Sequence, residues 1–201
     1  MKKLQKKAEG YWFYPVTDFV YDKSYIDKYK TYAITPMGNK ILKARLDILK
    51  QYTNLLDIGI GSGNLIKNKP NSKGFDVNPE AIKELKTNNM WCNIYKDNLD
   101  EFDAISFFDS FEHIEFPELI LNRITNQHII IAIPIFKNFE DLINSKHFRK
   151  DEHFHYFTLF GFLYYMEELG FYCKEILDIE IKLGRESIYT FIFKGLEYEN
   201  N

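Results

Sequence analysis

The run HIIIAIP, residues 128–134, constrains the fold more than any other stretch. No polar residue interrupts its isoleucines and alanine, so a strand built from them has no face to give to water. Such a strand needs apolar cover on both sides, which means helices above and below a largely parallel sheet. Pro134 is expected to end it, because proline lacks the ladder donor. The flanking sequence supplies the cover. From Thr53 onward, short apolar runs alternate with helical segments: NLLDIG with GNLIKN, KGFDV with PEAIKELKT, DAISFF with FPELILNRI, and HIIIAIP with TLFGFLYYMEEL. After Gly170, FYCKEILDIEI and SIYTFIFKG read as two more strands, near enough in sequence to pair antiparallel. The expected class is α/β: a doubly wound, mostly parallel sheet of seven strands, with the last one or two reversed.

The first fifty residues differ in texture. Tyr11 to Tyr14, Phe19, Tyr21, Tyr25, Tyr29 and Tyr32 crowd aromatics together, and Tyr21, Tyr25 and Tyr29 recur at a spacing that stacks them on one helix face. Thr35 followed by Pro36 has the form of an N-cap and first helical position, predicting a helix from Pro36 to about Lys50. At 201 residues and 45% hydrophobic, the chain suits one globular domain. Within it, residues 1–52 form an aromatic, helical N-terminal cap and residues 53–201 the core.

A formal charge of -3 gives no global reason to expect a polyanion partner, and the basic tip of Lys2, Lys3, Lys6 and Lys7 reads as a solvated end. Cys92 and Cys173 stand alone, without metal-ligand or disulfide spacing, which suits a reducing cytoplasm. No apolar run is long enough to span a membrane.

The stretch LLDIGIGSGNL, residues 55–65, carries the chemistry. Asp57, Gly59, Gly61 and Gly63 fall two residues apart where a predicted strand passes into a predicted helix. Glycines there let the backbone approach a ligand, and helix-start N–H groups favour polar or anionic groups. The dinucleotide fingerprint places its third glycine one position later, so NAD fits poorly, and a leading acid opposes a pyrophosphate. The phosphate loop of nucleotidases is excluded by the absence of GK[ST]. Asp76, at the end of KGFDV, stands where a carboxylate accepts both hydroxyls of a ribose, although it or Asn78 is equally suited to capping the next helix.

These residues resemble the class I S-adenosylmethionine-dependent methyltransferases across about Asn54 to Lys194. The likeness rests on LLDIGIGSG, GFDVNPEAI and FDAISFFDSFEHI, in that order, while IIIAIP, DEHFHYFT and MEELGF resemble the small-molecule, quinone-biosynthesis-like type 11/23 branch and small bacterial and phage methyltransferases. The resemblance implies a Rossmann-like sheet with a reversed last strand and S-adenosyl-L-methionine as cofactor. It assigns the methionine portion to Asp57 and the backbone of Gly59, Gly61 and Gly63, and the ribose to Asp76 with neighbouring Val77. Asp97 is placed near the adenine, and Phe108 and Asp109 beside the sulfonium.

The acceptor is less legible. Methyl transfer needs an aligned acceptor, exclusion of water and, for a hydroxyl, a general base. Candidate catalytic residues are Asp109 and His113 in FFDSFEHI, and His153 and His155 in SKHFRKDEHFHYF, a segment read as a lid or as an anchor for the helix at Thr158. Asp109, Glu112 and His113 also resemble the acid-xx-Glu-His pattern with which some quinone O-methyltransferases hold a divalent ion. The same Glu-His occurs in relatives without metal, and a metal-independent enzyme is the expectation. No [DN]PP[YF] or Pro-Cys motif is present, so base-directed nucleic-acid methylation is disfavoured. The reading is O-methylation of a small molecule. Methylation of a modified nucleotide or nucleic acid, or a non-catalytic S-adenosylmethionine-binding regulator, are the alternatives.

Overall fold

The computed structural model describes residues 3–15 and 19–196; Lys2 of the basic tip lies outside them. Along the chain run β1 (Gln5–Ala8), β2 (Tyr11–Phe13), α1 (Lys23–Ala33), α2 (Pro36–Leu49), β3 (Leu55–Ile58), α3 (Asn64–Asn68), β4 (Ser72–Phe75) and α4 (Pro79–Thr87). There follow β5 (Ala104–Phe108), a single 3-10 turn (Phe111–His113), α5 (Glu118–Leu121), β6 (His128–Phe136) and α6 (Phe139–Asn144). The chain closes with β7 (His155–Thr158), α7 (Leu159–Glu168), β8 (Phe171–Leu177), α8 (Ile179–Lys182) and β9 (Ile188–Gly195).

The central sheet has the order β4-β3-β5-β6-β9-β8. The pairs β3–β4, β3–β5 and β5–β6 are parallel, and β9 runs antiparallel to both neighbours. The doubly wound, mostly parallel α/β class with a reversed last strand is therefore present. The seventh place, outside β4, is held by a single parallel bridge between Gly74 and Trp91 instead of a full strand. The hydrogen bonds Gly74 N to Met90 O and Cys92 N to Gly74 O fix it.

Strand β6 is buried on both faces, as its composition demands. Ile129, Ile131 and Ile133 pack in the layer with Phe162 and Met166 of α7, whereas Ile130 and Ala132 pack in the layer with Ile48 and Leu49 of α2. Each fully buried isoleucine contributes roughly 1.5–3 kcal/mol, so this strand anchors both layers. Pro134 does not end it. One edge of β6 is paired with β5 as far as Ala132 and with β7 from Ile135, so the proline falls in the gap where its missing donor costs nothing. The functional cavity opens at that gap, and Pro134 lines it.

The N-terminal segment is helical in α1 and α2, and it adds a hairpin that the sequence pattern did not reveal. β1 and β2 pair antiparallel, and β2 joins β7 with Trp12 opposite Tyr156. The aromatic residues at 11–13 are thus strand residues whose alternation was masked by aromatics on both faces. α2 starts as predicted, with Thr35 Oγ1 accepting from Gly38 N at 3.0 Å.

Candidate functional site

A cavity of about 700 Å³ lies across the carboxyl ends of β3, β4 and β5, where open α/β sheets bind ligands. Its floor is the glycine loop. Gly59 has φ +79°, and a Cβ there would meet Ser110 Cβ at 2.4 Å, so only glycine is admitted. Gly61 has φ +51° and no protein atom within 4 Å of a Cβ position, which leaves its exposed face open to a ligand. Gly63 caps α3 in the left-handed region and is not part of the wall.

Two carboxylates flank this loop. Asp57 is buried on β3 and accepts from Ser106 Oγ at 2.6 Å; burial pushes its pKa up to about 7, against the pull of Ser106 and Arg45. Asp76 accepts from Asn78 N at 2.8 Å and from Gly61 N at 3.3 Å, and burial raises it above the usual range against those backbone donors. The capping of α4 falls to Asn78, whose side chain accepts from Glu80 N. Asp76, with neighbouring Val77, is left facing the cavity.

Asp97 is elsewhere. It closes its own turn by accepting from Asn93 N at 2.7 Å, and the wall there is formed by Ile94 and Tyr95. Phe108 ends β5 beneath the Arg45 guanidinium, 4.5 Å from its ring centre.

Asp109 lines the cavity but is engaged in an ion network. It accepts from Arg45 Nη2 at 2.6 Å and from Arg185 Nη2 at 2.9 Å, and both arginines also bind the buried Glu180. Burial alone would raise Asp109, yet Arg185 and Arg45 hold its carboxyl well below the usual range. A carboxylate so paired is a poor general base. Arg45, Arg185 and Glu180 were not singled out from sequence. The available signal was Arg45 on the face of α2 that also carries Ile41, Ile48 and Leu49.

The histidines separate. His113 and His153 line the cavity with ring centres 4.5 Å apart, and His113 Nδ1 lies 3.2 Å from Tyr21 Oη. Burial depresses His113 to about 4 and holds His153 well below its ordinary value, so both rings are neutral near pH 7. His155 points away from the cavity, its Nδ1 on Tyr11 Oη at 2.9 Å and its Nε2 on Ile114 O at 2.8 Å. An alternation of side chains along the extended segment does not keep 153 and 155 together, because His153 precedes the strand in a turn closed by His153 N to Arg149 O. Glu112, buried beside His113, is pushed up to about 8 by burial and by Asp109. Donor atoms of Glu112, His113 and His153 lie within 4.8 Å of one another.

The wall that adjoins His113 through Tyr21 is aromatic. Tyr21 and Tyr25 meet at 5.0 Å between ring centres and Tyr25 and Tyr29 at 4.9 Å, with Tyr25 Oη donating to Tyr29 Oη at 3.2 Å. All three face the cavity with Tyr32.

A family model described as a methyltransferase domain, of the type 23 branch, matches residues 29–176. The chain belongs to this family, and it is a class I S-adenosylmethionine-dependent methyltransferase. Similar solved structures include a methyltransferase of Thermotoga maritima described as a possible histamine N-methyltransferase, with TM-score 0.59 and 14% identity, covering 86% of this chain and 97% of that one. Another is the Burkholderia thailandensis 1,6-didemethyltoxoflavin N1-methyltransferase with substrate and S-adenosylhomocysteine bound, with TM-score 0.58 and 13% identity, covering 97% and 100%. Human N-acetylserotonin methyltransferase with S-adenosylmethionine has TM-score 0.58 and 15% identity over 85% of this chain, which spans 55% of the human one. At these identities the likeness is one of fold. No curated protein matches in sequence. Among the described residues no helix is long and apolar enough to cross a membrane.

Proposed function

We propose that the protein transfers a methyl group from S-adenosylmethionine to a hydroxyl of a small, planar molecule, with the tyrosines of Tyr21 to Tyr32 lining the acceptor side of the cavity. The observation that carries this reading is an aromatic wall and two neutral imidazoles lining the same cavity. Tyrosine faces hold a flat ring by stacking, and a neutral imidazole accepts a proton. The cavity lies within the roughly 300–1,000 Å³ range of ligand sites, room for the cofactor and one modest acceptor.

In this reading Asp57 and the Gly59–Gly61 backbone hold the methionine portion and Asp76 the ribose. Ile94 and Tyr95 flank the adenine, and Phe108 backs the sulfonium. The acceptor lies between Tyr25 and His113, with its oxygen in line with the methyl group at about 3–3.5 Å. As the oxygen-to-carbon bond forms and the carbon-to-sulfur bond breaks, the hydroxyl proton leaves at the His113 and His153 end on its way to solvent, since burial holds both rings too weakly basic to keep it near pH 7. The Asp109 network fixes the end of β5 and takes no proton. The protein works in the cytoplasm, a setting that the free thiols Cys92 and Cys173 suit.

The test is transfer of labelled methyl from S-adenosylmethionine into host-cell extract, separated into metabolite, nucleic-acid and protein fractions. The proposal expects label in metabolites. Label confined to nucleic acid, or donor binding with no transfer to any fraction, contradicts it.

A further inference from the structure

We infer that the methyl acceptor carries an anionic group, a carboxylate or a phosphate, which Arg149 and Lys28 hold at the acceptor end of the cavity. The inference rests on the methyl-transfer reading and names the class of molecule on which that reading acts.

Arg149 is part of the cavity wall. Its carbonyl accepts from Glu152 N at 3.1 Å and from His153 N at 2.8 Å, and Phe154 N donates to Glu112 O at 2.8 Å, so the turn that carries it is tied to the turn after β5. The charge of Arg149 adds to burial in opposing a proton on His113 and His153, which sets the guanidinium at the same end of the cavity as the two imidazoles. It also borders the aromatic wall. Burial raises the Tyr29 hydroxyl, and the guanidinium beside it pulls the other way.

One acid orients this arginine. Glu152 accepts from Arg149 Nη1 at 3.2 Å, yet its side chain is 18% exposed against 41% for the arginine, and it is not part of the wall. Glu152 thus stands behind a guanidinium that fronts the cavity. Among the described residues this is the one carboxylate bound to Arg149. A guanidinium has five donors in a planar fork, so donors remain for the oxygens of a carboxylate or phosphate.

Lys28 supplies a second cation on the far side of Tyr29 in sequence and space. Its Nζ lies 5.7 Å from the Tyr29 ring centre, and it lines the cavity. The other lysines of α1 are paired, Lys23 with Asp27 and Lys30 with Glu84, whereas Lys28 has no carboxylate partner among the described residues. A flat acceptor stacked on the tyrosines therefore meets a cation at either edge of Tyr29.

The acids of the wall do not offer the same welcome to a cationic acceptor. Asp57 and Asp76 are assigned to the donor, both oxygens of Asp109 are taken by Arg45 and Arg185, and Glu112 keeps its proton up to about pH 8. Glu115, which also lines the cavity, is exposed to solvent.

The test sorts by charge the metabolites of cell extract that gain a labelled methyl group from S-adenosylmethionine, using anion exchange at pH 7 before and after phosphatase treatment. We expect the label on retained, anionic products; release by phosphatase identifies a phosphate, and retention through it a carboxylate. With the acceptor purified by that label, Arg149→Gln should raise KM about 10-fold with little change in kcat, Arg149→Lys should recover part of the loss, and Lys28→Gln should raise KM about threefold. The wild-type KM should rise with added salt, and Lys150→Gln, a neighbouring charge outside the wall, should leave it unchanged. S-adenosylhomocysteine calorimetry on each variant confirms an intact donor site; should Arg149→Gln fail to fold, the exposed Lys28→Gln and the salt dependence carry the test. Label on neutral or cationic metabolites, including the neutral ester that methylation of the carboxylate itself would give, or a wild-type KM in both Gln variants, overturns the anionic acceptor and leaves methyl transfer standing. Label in no metabolite fraction beside demonstrated donor binding refutes small-molecule methylation, and this inference with it.

Discussion

Replacing Asp76 by alanine isolates the ribose contact. Its carboxylate stands at the end of β4, its two oxygens already accepting Asn78 N at 2.8 Å and Gly61 N at 3.3 Å, which aims the remaining lone pairs into the cavity. Two hydrogen bonds from ribose hydroxyls to an ionised acceptor contribute about 1.5–3 kcal/mol each. Removing both therefore costs about 3–6 kcal/mol, a loss of roughly 10²- to 10⁴-fold in affinity for S-adenosylhomocysteine. Asp76→Asn keeps one neutral acceptor and should lose about half as much free energy, or roughly 10- to 100-fold. The alanine also leaves Gly61 N and Asn78 N without their acceptor, so folding stability should fall by about 1–2 kcal/mol. Calorimetry measures the first effect and urea unfolding the second. A folded Asp76→Ala protein that binds within about threefold of wild type refutes the ribose assignment.

Asp57 gives a pH prediction. The folded protein keeps its proton up to about pH 7, whereas the unfolded chain releases it near its usual 3.8, so this group's contribution to stability is full below 3.8 and lost as pH rises through 7. Donor binding runs the other way, because the cofactor's ammonium needs the carboxylate: affinity should rise between pH 5.5 and 7 and level off above, and calorimetry on Asp57→Asn should show no such rise. Gly61→Ala should leave the fold standing, at a cost of about 1 kcal/mol for its positive φ, yet weaken donor binding strongly, since its Cβ enters only ligand space. Gly59→Ala should instead be unfolded or strongly destabilised in a thermal melt, because its Cβ overlaps Ser110. Arg185→Met leaves Asp109 and the buried Glu180 sharing Arg45 alone, and chemical unfolding should register a loss of about 2–4 kcal/mol.

How much of this was legible in the sequence follows from the range of each interaction. The β6 run declared its double burial through composition, and the glycine loop declared itself because positive φ restricts residue choice locally. The place of Asp76 on the cavity wall was readable because strand, loop and acid are contiguous. His155 and Asp109 were not: which side chain a histidine or acid meets depends on partners 41 to 144 positions away, such as Ile114, Tyr11, Arg45 and Arg185. The hairpin was hidden for a related reason. Tyr11–Phe13 pairs with β7, a strand that is far off in the chain and reads as a histidine-rich loop. The approach of His153 to Glu112 likewise depends on a backbone contact between distant turns, Phe154 N to Glu112 O.

The central claim is that a methyl group moves to an oxygen of a small molecule. Incubating the protein and cell extract with S-adenosylmethionine carrying a ¹³C methyl group, then recording the carbon spectrum of the metabolite fraction, tests it directly. The account predicts a new methoxy carbon signal that disappears with Asp76→Ala. A signal on nitrogen or carbon, or none beside demonstrated donor binding, would contradict it.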